Sequence, residues 1–294
     1  MMIRGFQSFH PIILFLYYIV VIAGLMLQQH PIFLLSSLPL LIGFNWMIDR
    51  GKELKKWRAM TIFLSLFVFI LTPLFNQQGN IVLFDIFSRN IYLEAIYHGL
   101  LVALTVSSIL ILFATFNTVI TSEKFLYLFS KWFPKWTLIL LLALRFVQIF
   151  PKRLSDIQDV QMTKGLSMKQ GNLLTRAQNG MQFLQILLTS SLEEAMQTAD
   201  SMNARGYGLK KRSNYENYPW KNRDTFLLIY QILLTALMFI GWKTKITGLV
   251  FTTKVVLWNI HMGPFLIGWL LLVGLPIWSD GKEVMKWRFS QRKI

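Results

Sequence analysis

Ile96-Tyr97-His98-Gly99-Leu100-Leu101-Val102-Ala103-Leu104-Thr105-Val106-Ser107-Ser108-Ile109-Leu110-Ile111-Leu112-Phe113-Ala114-Thr115-Phe116-Asn117-Thr118-Val119-Ile120 runs for 25 residues without one Asp, Glu, Lys or Arg. As a helix rising about 1.5 Å per residue it is longer than the roughly 30 Å hydrocarbon core of a bilayer. The stretch therefore predicts a membrane-spanning helix, and its neighbours repeat the pattern. Upstream, Trp57 to Phe75 reads as another span, interrupted near Pro73, and Asn76 to Glu94 as a connection whose apolar piece, Ile81 to Phe87, is too short to cross and lies at the interface. Further upstream, Pro11 to Leu27 and Pro31 to Met47 are two near-spanning segments, each opened by a His-Pro pair. Proline suits a first helical position, where its missing N–H would be unpaired anyway. The short link between them carries no Lys or Arg and is expected outside. The next loop holds Arg50, Lys52, Lys55, Lys56 and Arg58 and is expected inside.

Composition agrees with this class. The 294 residues are 54% hydrophobic and 15% charged, with a mean hydropathy of +0.47, too apolar for a soluble domain. A net charge of +16 would suggest nucleic acid in a soluble protein. Here the basic residues cluster beside apolar segments, as the positive-inside rule requires, and no nucleic-acid partner is predicted. The chain has no cysteine, which excludes disulfides, thiolate nucleophiles and cysteine-ligated metal. Arg4 ahead of the apolar run superficially resembles a signal peptide, but Leu25 to His30 offers no small-residue cleavage site, so the run is read as a retained first span.

Downstream of Ile120, Thr121-Ser122-Glu123-Lys124 with Lys131 and Lys135 marks a cytoplasmic flank, and Lys152 and Arg153 mark a second one. The apolar run between them, Trp136 to Phe150, is expected to be a helix lying on the inner face. It carries Arg145, which either pairs within the protein or reaches water, because a charge in hydrocarbon is costly. Pro151 to Arg223 is polar, with two helical stretches, about Lys152 to Lys164 and Ala177 to Arg205. Ala195, Met196, Ala199 and Met202 form a packing face near the end of the second. Asp224 is expected to cap a span to Gly241, and Pro264 to Trp278 is cleanly apolar. Trp242 to Ile260 is interrupted by Lys243, Lys245 and Lys254 and is read as not fully crossing. The sum is an all-α polytopic membrane protein: residues 1–120 with four spans, 121–223 with the interfacial helix and cytoplasmic helices, and 224–294 with the last spans and a basic tail. Six spans place both termini inside, in a multi-pass protein of a bacterial cell membrane.

The chemistry that is missing narrows the function. No G-x-x-x-x-G-K-[ST] loop occurs, so no ATP site of the chain's own is expected. There is no H-E-x-x-H, no G-x-S-x-G and no paired-carboxylate constellation, hence no catalytic residue, no metal, no cofactor and no enzyme activity is predicted. His10, His30, His98 and His261 are scattered at span boundaries. Acidic residues are nearly missing from the spans, which argues against a proton- or sodium-driven carrier.

One polar stretch stands out: Ala199-Asp200-Ser201-Met202-Asn203-Ala204-Arg205-Gly206-Tyr207-Gly208. Gly206 suits the residue after a helix end and Arg205 complements the negative helix terminus, so an ordinary helix stop explains the stretch as well as a functional motif does. Met162-Thr163-Lys164-Gly165 ends the preceding helical stretch in the same way. With both basic-Gly ends in view, the chain resembles the transmembrane (T) component of energy-coupling factor transporters, the family that includes the cobalt-transport membrane subunit. The similarity is best from Thr121 to Gly208. Thr121-Ser122-Glu123-Lys124 sits at a Thr-Thr-Asp-Pro-like turn, and Leu142-Ala143-Leu144-Arg145-Phe146 with Pro151 resembles an Ala-Leu-Arg-Phe…Pro segment. Ser201 to Gly208 is close to the second Ala-Arg-Gly signature, while Thr163-Lys164-Gly165 holds the first in degenerate form.

The resemblance implies two coupling helices whose basic ends, Ala204-Arg205-Gly206 and Thr163-Lys164-Gly165, each enter a groove on an ABC-type ATPase. It also implies a separate substrate-binding membrane subunit and uptake of a vitamin, a vitamin precursor or a metal ion. The departure at Lys164 fits a non-identical ATPase pair, since an ammonium does not reproduce the guanidinium fork. Two other classes stand beside this reading: an integral-membrane enzyme in which Arg145 handles an anionic lipid head group, and a self-contained carrier.

Overall fold

The computed structural model describes residues 5–28, 30–76, 82–86, 89–130, 132–165, 172–209, 218–244, 262–279 and 281. After a 3-10 turn at Gly5–Ser8 the helices are α1 (Pro11–Leu27), α2 (Pro31–Asp49), α3 (Lys52–Phe75), α4 (Leu93–Val119), α5 (Ser122–Ser130), α6 (Pro134–Thr163), α7 (Leu173–Ala204), α8 (Asn222–Lys243) and α9 (Gly263–Val273). Helices α2, α3, α4 and α8 are long and apolar enough to cross a membrane, and α1 and α9 are shorter apolar helices. The protein is an all-α polytopic membrane protein.

Its one sheet among the described residues is a two-stranded antiparallel hairpin, β1 (Val82–Ile86) with β2 (Arg89–Tyr92), in which Asp85 pairs with Asn90. The apolar piece expected at Ile81 to Phe87 thus supplies a strand at Val82–Ile86: a run too short to cross satisfies its backbone by pairing with the chain just after it.

The two His-Pro pairs open their helices by the same device. His10 Nδ1 accepts the Ile12 N–H at 3.3 Å and His30 Nδ1 accepts the Ile32 N–H at 3.4 Å, while the prolines sit in the first turn. Only an unprotonated nitrogen can accept, and burial lowers the His10 pKa from its ordinary value, against an opposing influence of Asp224. Helix α3 starts at Lys52, five residues before the expected Trp57, so the basic loop is wound into its first turns, and it continues through Pro73 to Phe75. Asp224 is not the cap of α8 but its third residue, where its buried carboxylate accepts the Lys221 N–H at 3.0 Å.

The chain divides into two compact units, Met1–Phe125 with Tyr218–Ile294, and Leu126–Asn217. In the first unit the core gathers Phe6, Tyr17, Tyr18, Phe33, Phe44, Leu112, Leu272 and Trp269, with other apolar residues of α1, α2, α4, α8 and α9. Close approaches are built on small residues, as helix packing in lipid requires. A Cβ added to Gly24 of α1 would run into the Trp269 ring of α9, and one added to Gly99 of α4 would lie 3.1 Å from the Phe69 carbonyl of α3. Polar groups also bridge these helices: Ser65 and Ser107 hydroxyls meet at 2.6 Å, and Tyr17 O–H donates to the Val273 carbonyl at 3.0 Å.

The second unit departs from expectation at Pro151. Trp136 to Phe150 and Lys152 to Lys164 are not two segments but parts of α6, one helix of 30 residues. A proline inside a helix removes one N–H and crowds the preceding turn without obliging the helix to stop, and the residues after it are good helix formers. The remaining expectations, Trp242 to Ile260 as a non-crossing segment and the basic tail from Lys282, lie almost wholly outside the described residues.

Candidate coupling site

The site is built from two helix ends. Helix α7 closes with a full Schellman motif: the Gly206 N–H donates to the Asn203 carbonyl at 2.9 Å and the Tyr207 N–H to the Met202 carbonyl at 3.0 Å. Arg205 is the last residue in near-helical conformation, at φ −79° and ψ 3°, and Gly206 follows at φ +78°. At the end of α6, Lys164 has φ −91° and ψ 7°, Gly165 has φ +78°, and the Gly165 N–H donates to the Met162 carbonyl at 3.0 Å. The positive φ, which side chains with a Cβ rarely adopt, explains why glycine stands at both positions. The degenerate signature and the good one thus share one backbone geometry, and they differ only in which cation is displayed.

Both cations face outward. Lys164 and Arg205 are exposed, as are Thr163 and Ala204. The two helices also hold these ends at matched distances from their mutual contact. Arg153 of α6 and Glu194 of α7 form an ion pair beside a cleft of ≈ 460 Å³ lined by Asp156, Ile157, Ser190, Glu193 and Gln197. Lys164 follows Arg153 by 11 residues, and Arg205 follows Glu194 by the same 11. At the helical rise, each basic tooth stands about 16 Å along its axis from the ion pair.

Arg153 and Glu194 were not singled out as a pair by the sequence. Arg153 read as a flank marker only, and no local spacing rule connects residues 41 positions apart. Arg145 lies on α6 and is exposed, on a helix that also exposes Trp136, Ile139, Leu140, Leu141, Leu144 and Val147. A continuous apolar surface of this kind is characteristic of a face meant for lipid or a partner. The structure therefore brings α6 and α7 together and places Arg145 on the same helix as Lys164. Among the described residues no group of three or more His, Asp or Glu that could hold a metal occurs.

The family model described as cobalt transport protein, CbiQ, matches residues 5–215. Among curated proteins, the chain is similar to the energy-coupling factor transporter transmembrane protein EcfT of Staphylococcus aureus (strain 04-02981), 28% identical over 191 residues, which is 61% of this chain and 71% of the relative. EcfT of Bacillus subtilis (strain 168) is 28% identical over 190 residues, covering 60% and 71% of the two chains. EcfT of Lactobacillus helveticus (strain DPC 4571) is 34% identical over a shorter 104 residues, 35% of this chain and 38% of the relative. Because the matched region takes in α1 to α7 and both basic helix ends, the chain belongs to the cobalt transport protein (CbiQ) family, as a transmembrane (T) component of energy-coupling factor transporters.

Proposed function

We propose that this T component transmits ATP-driven motion from two ABC-type ATPase subunits to a separate substrate-binding membrane subunit. Ala204-Arg205-Gly206 docks one ATPase and Thr163-Lys164-Gly165 the other. The observation that carries this reading is the matched pair of helix ends: two exposed cations, each on the last turn before a glycine at φ +78°, displayed by helices of one compact unit. An ordinary helix stop accounts for one such end; it gives no reason for two with equal reach from a shared ion pair. Arg205 suits a carboxylate-lined groove, since its guanidinium can form two parallel hydrogen bonds, whereas Lys164 is a point charge. That difference favours ATPase subunits that are not identical.

In this reading the chain sits in a bacterial cell membrane with both termini and residues 121–223 on the cytoplasmic side, where ATP is available. Arg145 and the apolar surface of α6 face lipid or the membrane subunit. The chain itself catalyses nothing, and substrate choice, among vitamins, vitamin precursors and metal ions, rests with the partner. Purifying the tagged chain from its native membrane and identifying its companions tests the assignment. Two ABC ATPases and one small membrane protein are expected; a chain that purifies without any ATPase contradicts it.

A further inference from the structure

The turn Gly5–Ser8 is gripped from both sides of the insert formed by residues 126–217. Lys124, just before the insert, is only 4% exposed, and its Nζ donates to the Gln7 carbonyl at 2.9 Å and the Val119 carbonyl at 3.0 Å. A lysine is rarely buried unless its ammonium is satisfied, and Val119, the last residue of α4, has a carbonyl that no helical N–H can reach. Just after the insert, Arg223 Nη2 donates to the Ser8 carbonyl at 2.9 Å and to Ser8 Oγ at 3.1 Å, and its guanidinium lies 4.7 Å from the centre of the Phe9 ring. Consecutive carbonyls of one turn thus take one cation from the chain entering the insert and one from the chain leaving it.

The turn is itself rigidly seated. Phe6 is fully buried, with edge-on contacts to Tyr17 at 5.2 Å and Phe44 at 5.7 Å, and Ser8 Oγ donates to the Gly5 carbonyl at 2.7 Å. The His10 ring lies 4.8 Å from Trp220, adding a further contact to the chain leaving the insert.

We propose that Gly5–Ser8 is a staple across the two roots of the insert, with Lys124 and Arg223 as positioning residues that make the ends of α1, α4 and α8 move as one body when the insert is driven. The proposal rests on the coupling reading above. Without the staple, motion of the insert would spread its two roots apart instead of carrying the spanning helices with it.

The chain has no cysteine, so paired labels can be introduced cleanly. Glu123→Cys and Asn222→Cys place nitroxides on exposed residues at the two roots. In the complete purified transporter, pulsed electron paramagnetic resonance should give one narrow inter-label distance that does not change on adding ATP. Adding Lys124→Met or Arg223→Gln should leave ATPase co-purification intact and produce a distance that shifts on ATP addition, while Lys124→Arg should behave as the parent. Arg223, with 38% of its side chain exposed, tolerates replacement even if the buried lysine does not. A distance that is indifferent to ATP in both Lys124→Met and Arg223→Gln, or that already shifts in the parent, overturns the staple alone. A parent chain that retains no ATPase overturns the coupling reading and the staple with it.

Discussion

Lys164 and Arg205 occupy nearly the same backbone conformation, so the chemistry of their side chains can be compared without a geometric correction. Arginine presents a planar fork that keeps its charge and matches a carboxylate with two donors; lysine offers a compact ammonium on a flexible stem. Replacing Lys164 with Arg should therefore leave the α6 end unchanged and give equal or tighter ATPase association. Titration of purified ATPase against the variant in detergent measures this, and clear weakening would assign Lys164 a role that needs the smaller cation. At this scale the sequence was largely legible, because a basic residue before a glycine states both the charge and the positive φ. What it hid was the equivalence of the two ends: Thr163-Lys164-Gly165 reads as degenerate, yet its hydrogen bond and dihedral angles follow those of Asn203 to Gly206. Glycine sets that geometry, and the residue before it is free to vary.

Among the elements, the apolar helices were legible from hydropathy alone, and their contacts were not. Gly24 looks like any glycine in an apolar run, but α9 brings the buried Trp269 ring to where a methyl group would stand. Gly24→Ala should lower stability by roughly 1–3 kcal/mol, the usual cost of overpacking a filled core. Thermal unfolding of the purified protein in detergent reads this as a lower midpoint; an unchanged midpoint would mean that the indole swings aside. Two features that the sequence left unread also belong here. Pro151 and the switch to polar residues suggested a boundary where α6 runs on, because polarity marks a change of surroundings rather than the end of a helix. The apolar piece near Ile81 became a hairpin strand, since its partner, Arg89–Tyr92, carries no apolar alternation that would announce it.

At the level of the whole molecule, the two compact units are cut at 125/126 and 217/218, whereas the sequence alone suggests boundaries at 120/121 and 223/224. The difference has physical content. Lys124 and Arg223 read as polar and therefore as part of the insert, yet their ammonium and guanidinium groups are held by Gln7, Ser8 and Val119 of the apolar unit. The pairings with Gln7 and Ser8, more than one hundred residues apart in sequence, leave no periodic trace. The central claim is that the insert docks ATPases through its basic helix ends, and Arg205 is its sharpest point. The most direct measurement is co-purification of ATPase with tagged Arg205→Ala, alongside the parent chain at equal membrane abundance. Loss of a charge-paired anchor should weaken docking by ~2–5 kcal/mol, enough to strip ATPase from the complex while the chain stays in the membrane. Normal ATPase recovery with Arg205→Ala would contradict the account.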